Sequence, residues 1–121
     1  MTVGKVVINL TAGPEDGERA TIAFLVGTAA QFAGHEVLAF FTMEAVRLAI
    51  PGGPESVLAQ EGRPSFAELW SQFAAAGGIV YLCPFCVTSR DLGEDPLPNA
   101  TIAGATPMWA WIGDGATVFS Y

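Results

Sequence analysis

The sequence predicts a single α/β domain, built on a doubly wound, mainly parallel five-stranded sheet with helices on both faces. Short apolar runs alternate strictly with longer segments of helical character, and five such runs occur along the chain. Gly- and Pro-containing turns separate them. The 121 residues match one ordinary domain. No repeat or linker divides the chain, so residues 1–121 are expected to form one unit.

The first strand is predicted over residues 6–10, which form an uninterrupted apolar run before a turn. Pro14 suits the first turn of a helix. The Ala-rich stretch 20–33 is too long for a strand and favours a helix. Gly34 is placed to end that helix, and residues 37–42 follow as the second strand.

The middle of the chain predicts a short helix over residues 43–50 and an irregular surface segment over 51–64. Ser65 is expected to cap a helix that runs to residue 76, with Glu68 completing a capping box. Residues 79–82 form the third predicted strand.

The last third continues the alternation. A helix is predicted from Pro84 to about residue 92, a brief fourth strand over 100–103, a helix over 106–112 and a closing strand over 116–121. Strands connected in this way through helices favour a parallel sheet with right-handed crossovers.

Several aromatic and imidazole side chains have a predicted place in this scheme. Phe119 and Tyr121 share one face of the last strand and are expected in the core. Trp109 and Trp111 are two residues apart on a helix, so they do not both face the same core. We expect ordinary packing for these tryptophans, and a role as a turn residue for His35.

The composition predicts self-association and excludes two classes of ligand. Only 14% of the residues are charged and 51% are hydrophobic, which is thin polar cover for a soluble monomer. We therefore expect a homo-oligomer. The net charge of −7 leaves no basic footprint for nucleic acid or for an anionic membrane surface.

The predicted location is the cytoplasm. The N-terminal apolar run is too short for a signal-peptide core, and the long uncharged stretch 20–34 falls short of a membrane span. In a reducing compartment, two cysteines spaced Cys-x-x-Cys indicate redox, sulfur or metal chemistry more than a structural bridge.

The candidate site lies where the strands end, because open parallel sheets bind ligands at their carboxyl edge. Cys83 is expected at the end of the third strand as the N-cap of the next helix, where free amides and the helix dipole stabilise a thiolate. Cys86 lies one turn later, within reach of Cys83. These two are the predicted catalytic residues. The residues predicted to contact substrate are Thr11, Gly13, Thr42, Glu44, Pro84 and Phe85.

The same residues are compatible with other interpretations. The two cysteines could simply be small buried hydrophobic residues. A tetrahedral metal needs about four ligands, whereas the chain offers two cysteines and His35, so no metal is predicted. The Gly13 loop lacks the glycine patterns of nucleotide-binding loops and is followed by acidic residues, so no cofactor is predicted.

The order of these motifs resembles the DsrE/DsrF-like family, which includes sulfur-relay subunits of the Tus type. The resemblance covers nearly the whole chain, from a first strand at residues 5–8, through the Ala33–Val37 and Phe40–Thr42 segments, to Cys83-Pro84-Phe85-Cys86. It implies a flavodoxin-like sheet, trimers or hexamers, and a cysteine that carries sulfur as a persulfide. Cys83 stands at the family cysteine's place and Arg90 at that of a frequent arginine, whereas Asp91 replaces the usual glycine.

Three functions follow as hypotheses. The first is a sulfur carrier that holds a persulfide on Cys83 and exchanges it with donor and acceptor proteins. The second is thiol–disulfide exchange, because Cys-Pro-Phe-Cys resembles the glutaredoxin motif, although glutaredoxins carry it near the N-terminus. The third is a non-catalytic, oligomeric binding module.

Overall fold

The chain folds as a five-stranded, all-parallel sheet in the order β4-β3-β2-β1-β5, as seen in a computed structural model that describes residues 4–121. The strands are β1 (Lys5–Leu10), β2 (Glu36–Phe41), β3 (Ile79–Leu82), β4 (Ala100–Ile102) and β5 (Thr117–Ser120). The helices are α1 (Gly17–Phe32), α2 (Phe66–Ala75), α3 (Pro84–Ser89) and α4 (Ala105–Ile112). This confirms the predicted fold class.

The strand order explains why the helices divide unequally between the two faces. The chain moves one place along the sheet at each step from β1 to β4, so right-handed crossovers put α1, α2 and α3 on one face. It then returns past β1 to form β5, and this reversed step puts α4 on the other face. The first face therefore has several helices and the second has one.

The main core lies on the first face. Alternate strand residues such as Val6, Ile8 and Leu10 point towards it and are fully or almost fully buried. They meet a group of packed aromatic rings from β2, α1 and α2. These rings are Phe24, Phe41, Phe66, Trp70 and Phe73. Phe24 stands at the centre, stacked on Trp70 with ring centroids 5.6 Å apart.

The second face has a much smaller core of three buried residues, Val7, Phe40 and Ile112. Trp111 packs beside them, and its carbonyl accepts a hydrogen bond of 2.7 Å from the Lys5 ammonium, which also lies 5.2 Å from the Trp111 ring centre. Trp109 is 67% exposed. The two tryptophans thus differ in environment, as their spacing predicts.

Local signals at the ends of the helices were largely confirmed. The Ser65 hydroxyl accepts a hydrogen bond from the Glu68 amide at 3.1 Å, as expected for an N-cap. Gly34 follows α1 with a φ of +97°, the left-handed conformation that favours glycine. His35 lies in the turn before β2, where its Nδ1 accepts a hydrogen bond from the Gly4 amide at 3.2 Å.

Three expectations about the elements were wrong in detail. The helix predicted over residues 43–50 is a 3-10 helix over Met43–Ala49 that starts from a left-handed Met43. The helix starting at Pro84 ends at Ser89, because Asp91 also adopts a positive φ. Phe119 is 42% exposed and not in the core, since β5 is an edge strand that pairs only with β1. Tyr121 does pack, half-buried, against the main core.

Within residues 4–121, no helix combines the length and the apolar character that crossing a bilayer requires.

Candidate functional site

The two cysteines lie at the carboxyl edge of the sheet. Cys83 follows β3 directly and is the N-cap of α3, while Cys86 lies in the first turn of that helix. The Cys83 amide donates to the Phe41 carbonyl at 3.0 Å, which continues the β2–β3 pairing and fixes the backbone at residue 83. Both thiols are free and partly exposed. Pro84 suits this junction, because its fixed φ favours the first helical position.

Cys83 differs in one respect from the predicted N-cap. Its side chain makes no capping hydrogen bond to the amides that open α3. The helix is also short, at six residues. Cys83 lies at the start of the helix, as predicted. Within residues 4–121, however, its sulfur accepts no capping hydrogen bond from the amides of α3.

The sulfur that accepts a hydrogen bond from a backbone amide is that of Cys86. The Met43 amide, at the start of the 3-10 helix after β2, donates to the Cys86 Sγ at 3.1 Å. Met43 has a φ of +55°, an uncommon conformation for a residue other than glycine. This hydrogen bond connects the segment after β2 directly to α3 through the Cys86 sulfur atom.

Burial raises the pKa of the Cys86 thiol. The Met43 amide acts in the opposite direction, and the neighbouring Cys83 raises the pKa further. Near neutral pH, the Cys86 thiol is therefore protonated.

A carboxylate and two guanidinium groups form a network of ion pairs beside Cys86. Glu44 accepts from Arg90 Nε at 2.7 Å and from Arg47 Nε at 2.6 Å. The Arg90 hydrogen bond is the main cause of a lowered pKa at Glu44, and the Arg47 bond is the second. Arg90 also donates to the Cys86 carbonyl at 3.3 Å. The Glu44–Arg90 pair thus ties the 3-10 helix to the end of α3.

Exposed apolar side chains flank the thiols. Phe85, between the two cysteines, is 85% exposed, and Met43 is 55% exposed. Gly104, at the end of β4, lies against the Pro84 ring, where an added Cβ would be 3.5 Å from the ring Cδ. Apolar side chains therefore lie beside the thiols, next to the charged group formed by Glu44, Arg47 and Arg90.

The structure brings some of the predicted substrate-contacting residues together and separates others. Pro84 and Phe85 lie between the two cysteines at the start of α3, and Glu44 is connected to the Cys86 carbonyl through Arg90. Thr42 precedes Met43, and its amide donates to the Leu10 carbonyl at 3.1 Å. Gly13 lies so close to the Glu44 carbonyl that a side chain at residue 13 would overlap it.

Thr11 follows β1, whereas Cys83 follows β3, and β2 lies between these two strands. The Thr11 amide and hydroxyl both donate to the Tyr121 carbonyl at 2.9 Å, on the side of β1 that faces β5. Two strand spacings separate β1 from β3, or roughly 10 Å. Tyr121, to which Thr11 is hydrogen-bonded, lines a cleft together with Asp16 and Arg19.

The Met43–Cys86 and Glu44–Arg90 contacts are not apparent from local sequence. The only available signals are that residues 43 and 44 follow a strand end and that Arg90 stands seven residues after Cys83. Within residues 4–121, no three His, Cys, Asp or Glu side chains are grouped in a way that could hold a metal ion.

Comparison with known proteins identifies the family. The crystal structure of the YchN protein from E. coli superposes with a TM-score of 0.79, covering 98% of this chain and 100% of that chain at 16% identity. This similarity is one of fold. No curated protein matches the sequence significantly. The family model described as "DsrE/DsrF-like family" matches residues 4–121, and the chain therefore belongs to the DsrE/DsrF-like family.

Proposed function

We propose that this protein is a sulfur carrier that holds sulfur as a persulfide on Cys83. The observation that carries the proposal is the pair of free, partly exposed thiols at the carboxyl edge of the sheet, where β3 is followed by α3. Family membership supports it, because the DsrE/DsrF-like family includes sulfur-relay proteins and Cys83 stands at the place of the family cysteine. The Cys83 sulfur accepts no capping hydrogen bond, whereas the Cys86 sulfur accepts one from the Met43 amide. We therefore assign the attack on the donor's sulfur to Cys83.

The proposed loading step is balanced and needs no external oxidant. The Cys83 thiolate attacks the outer, sulfane sulfur of a donor persulfide, R–S–SH. A new S–S bond forms on Cys83, the donor S–S bond breaks, and the donor leaves as a thiolate, R–S⁻. Transfer to an acceptor thiolate is the same reaction in reverse, so the protein returns to its starting state.

Cys86 is proposed to control loss of the carried sulfur. A Cys86 thiolate could attack the inner sulfur of the Cys83 persulfide, forming the Cys83–Cys86 disulfide and releasing HS⁻. The thiolate is the nucleophile in such exchange. Because the pKa of Cys86 is raised, the residue stays protonated near neutral pH and this side reaction is slowed.

Donor and acceptor proteins are the proposed partners. The exposed Phe85 and Met43 side chains lie beside the thiols, and an apolar rim of this kind suits contact with another protein surface. The chemistry requires reduced thiols, which favours the cytoplasm as the location. We also propose that the protein is a homo-oligomer, because charged residues make up only 14% of the chain.

Intact mass spectrometry tests the proposal. Wild type incubated with a low-molecular-weight persulfide should gain one sulfur atom, Cys86→Ser should gain and retain it for longer, and Cys83→Ser should gain none. Equal loading of wild type and Cys83→Ser would overturn the assignment. Rapid conversion of wild type to a disulfide without any persulfide would favour thiol–disulfide exchange, and unreactive native thiols would favour a non-catalytic module.

A further inference from the structure

The edge strand β5 has a free row of backbone hydrogen-bonding groups. Its neighbour on one side is β1, and no described residue pairs with its other side. The Tyr121 amide donates to the Asn9 carbonyl at 2.8 Å, and the Tyr121 carbonyl accepts from the Thr11 amide at 2.9 Å. Since successive strand residues point their N–H and C=O to opposite sides, Val118 and Ser120 point theirs away from β1.

The other edge of the sheet is protected, whereas β5 is not. β4 has three residues and follows Pro96 and Pro98, and short strands and prolines prevent unwanted pairing at an edge. β5 contains neither proline nor a charged residue. Val118 is 54% exposed on the α4 face and Phe119 is 42% exposed on the α1 face.

We propose that β5 pairs antiparallel with β5 of a second copy of this chain, around a twofold axis at Phe119. In this register, Phe119 faces its own copy as a non-hydrogen-bonded aromatic pair, which is favourable across antiparallel strands. Val118 and Ser120 of each chain then exchange both of their outward hydrogen bonds. The pairing rests on the proposed self-association but is independent of sulfur transfer.

The occupant is assigned as a second copy because the edge is complementary to itself. A twofold axis places the same residues on both sides, so any charge near the axis would face a like charge. β5 is uncharged although the chain carries a net charge of −7. The outward groups also repeat symmetrically about Phe119, so each hydrogen bond has an equivalent in the other chain.

This interface constrains the assembly. A twofold contact requires an even number of subunits, since every subunit needs one β5 partner. A hexamer satisfies this condition, whereas an isolated trimer does not.

Sedimentation velocity of matched variants tests the pairing. Ser120→Pro removes an outward amide without touching the β1 pairing, and Ser120→Ala keeps that amide while removing the side-chain contact with Asn9. At tens of micromolar protein, wild type and Ser120→Ala should have an even subunit number. Ser120→Pro should halve that number with an unchanged far-ultraviolet circular dichroism spectrum.

A crosslinking experiment covers the case in which Ser120→Pro fails to fold. In a Cys83→Ser, Cys86→Ser background, Phe119→Cys should form an intermolecular disulfide under mild oxidation, and Val118→Cys, opposite Ser120, should form little. A monomeric wild type would overturn both this pairing and the proposed self-association. An oligomer that survives Ser120→Pro, or lacks the Phe119→Cys crosslink, would overturn the β5 pairing alone.

Discussion

Cys86 shows two opposing influences at one sulfur atom. The Met43 amide donates to Sγ and favours the thiolate, whereas burial and the adjacent Cys83 favour the neutral thiol. Burial is the largest of these causes, so the pKa is raised. Folding therefore delays ionisation of Cys86, and the folded chain holds this proton to higher pH than the unfolded chain does.

The ionisation of Cys86 gives the first prediction. In Cys83→Ser, the ultraviolet absorbance of the Cys86 thiolate should develop at a higher pH in the native protein than in the same variant unfolded in urea. Burial remains in this variant, and burial is the main cause of the shift. A native midpoint at or below the unfolded midpoint would contradict this account of Cys86.

Glu44 gives the second prediction, through the pH dependence of stability. Its pKa in the folded protein lies below the ordinary value of 4.5, because Arg90 and then Arg47 donate to its carboxylate. Its contribution is therefore complete near neutral pH and is lost as pH falls from about 4.5 through the lower folded pKa. Glu44→Gln should be less stable than wild type at pH 7, with a difference that shrinks in acid.

Urea unfolding at several pH values measures this difference. Glu61→Gln is the matched control, since Glu61 is exposed and forms no ion pair within residues 4–121. A difference between Glu44→Gln and wild type that stays constant down to pH 3 would show that the side-chain charge is not responsible.

At the scale of elements, three helices end in the same backbone motif. After α1, α2 and α3, the amides of the second and third residues beyond each helix bond back to carbonyls of its last turn. The residue in the left-handed position is Gly34 after α1 and Gly77 after α2, but Asp91 after α3, with a φ of +53°. A side chain costs about 1–2 kcal/mol in this conformation, although aspartate tolerates it better than most residues.

Asp91→Gly should therefore stabilise the protein, by about 1 kcal/mol. The substitution removes the strain at Asp91 and keeps the hydrogen bonds that the Asp91 and Leu92 amides donate to Thr88 and Val87. The free energy of chemical unfolding measures the effect, and Asp91→Ala is the control because alanine retains the Cβ. Equal stabilities of Asp91→Gly and Asp91→Ala would refute a conformational cause.

The elements also show what sequence alone could predict. The strand–helix alternation, the Ser65 cap and the junction at Cys83 depend on residues close in sequence, and all were predictable. The Met43–Cys86 hydrogen bond joins residues 43 positions apart, and its geometry depends on a left-handed Met43. No local pattern contains that information, because it follows from strand order and loop conformation.

At the scale of the molecule, strand order determines which faces are covered. The alternation of elements predicts helices on both faces, but not that three lie on one face and one on the other. The alternating pattern places Phe119 in the core, where it would lie in a central strand, but β5 is at the edge of the sheet and leaves Phe119 42% exposed. The sequence places Thr11 and Cys83 at the same edge of the sheet, but it does not contain the strand order, in which β2 separates them.

The unequal division of the helices between the two faces of the sheet predicts which core contributes more to the free energy of unfolding. Phe24, 1% exposed and in contact with the surrounding aromatic rings, belongs to the face with several helices. Phe24→Ala should destabilise the protein by about 3–5 kcal/mol, because it leaves a cavity in a close-packed cluster. Trp109→Ala, on the face covered by α4 alone, should cost less than about 1 kcal/mol, since its ring is 67% exposed.

Thermal and urea unfolding of both variants, measured below the concentration at which the chain self-associates, separate packing within the domain from contacts between copies. A loss at Trp109 that matches the loss at Phe24 under those conditions would mean that the second face contributes as much to folding as the first, which the small core around Val7 does not support.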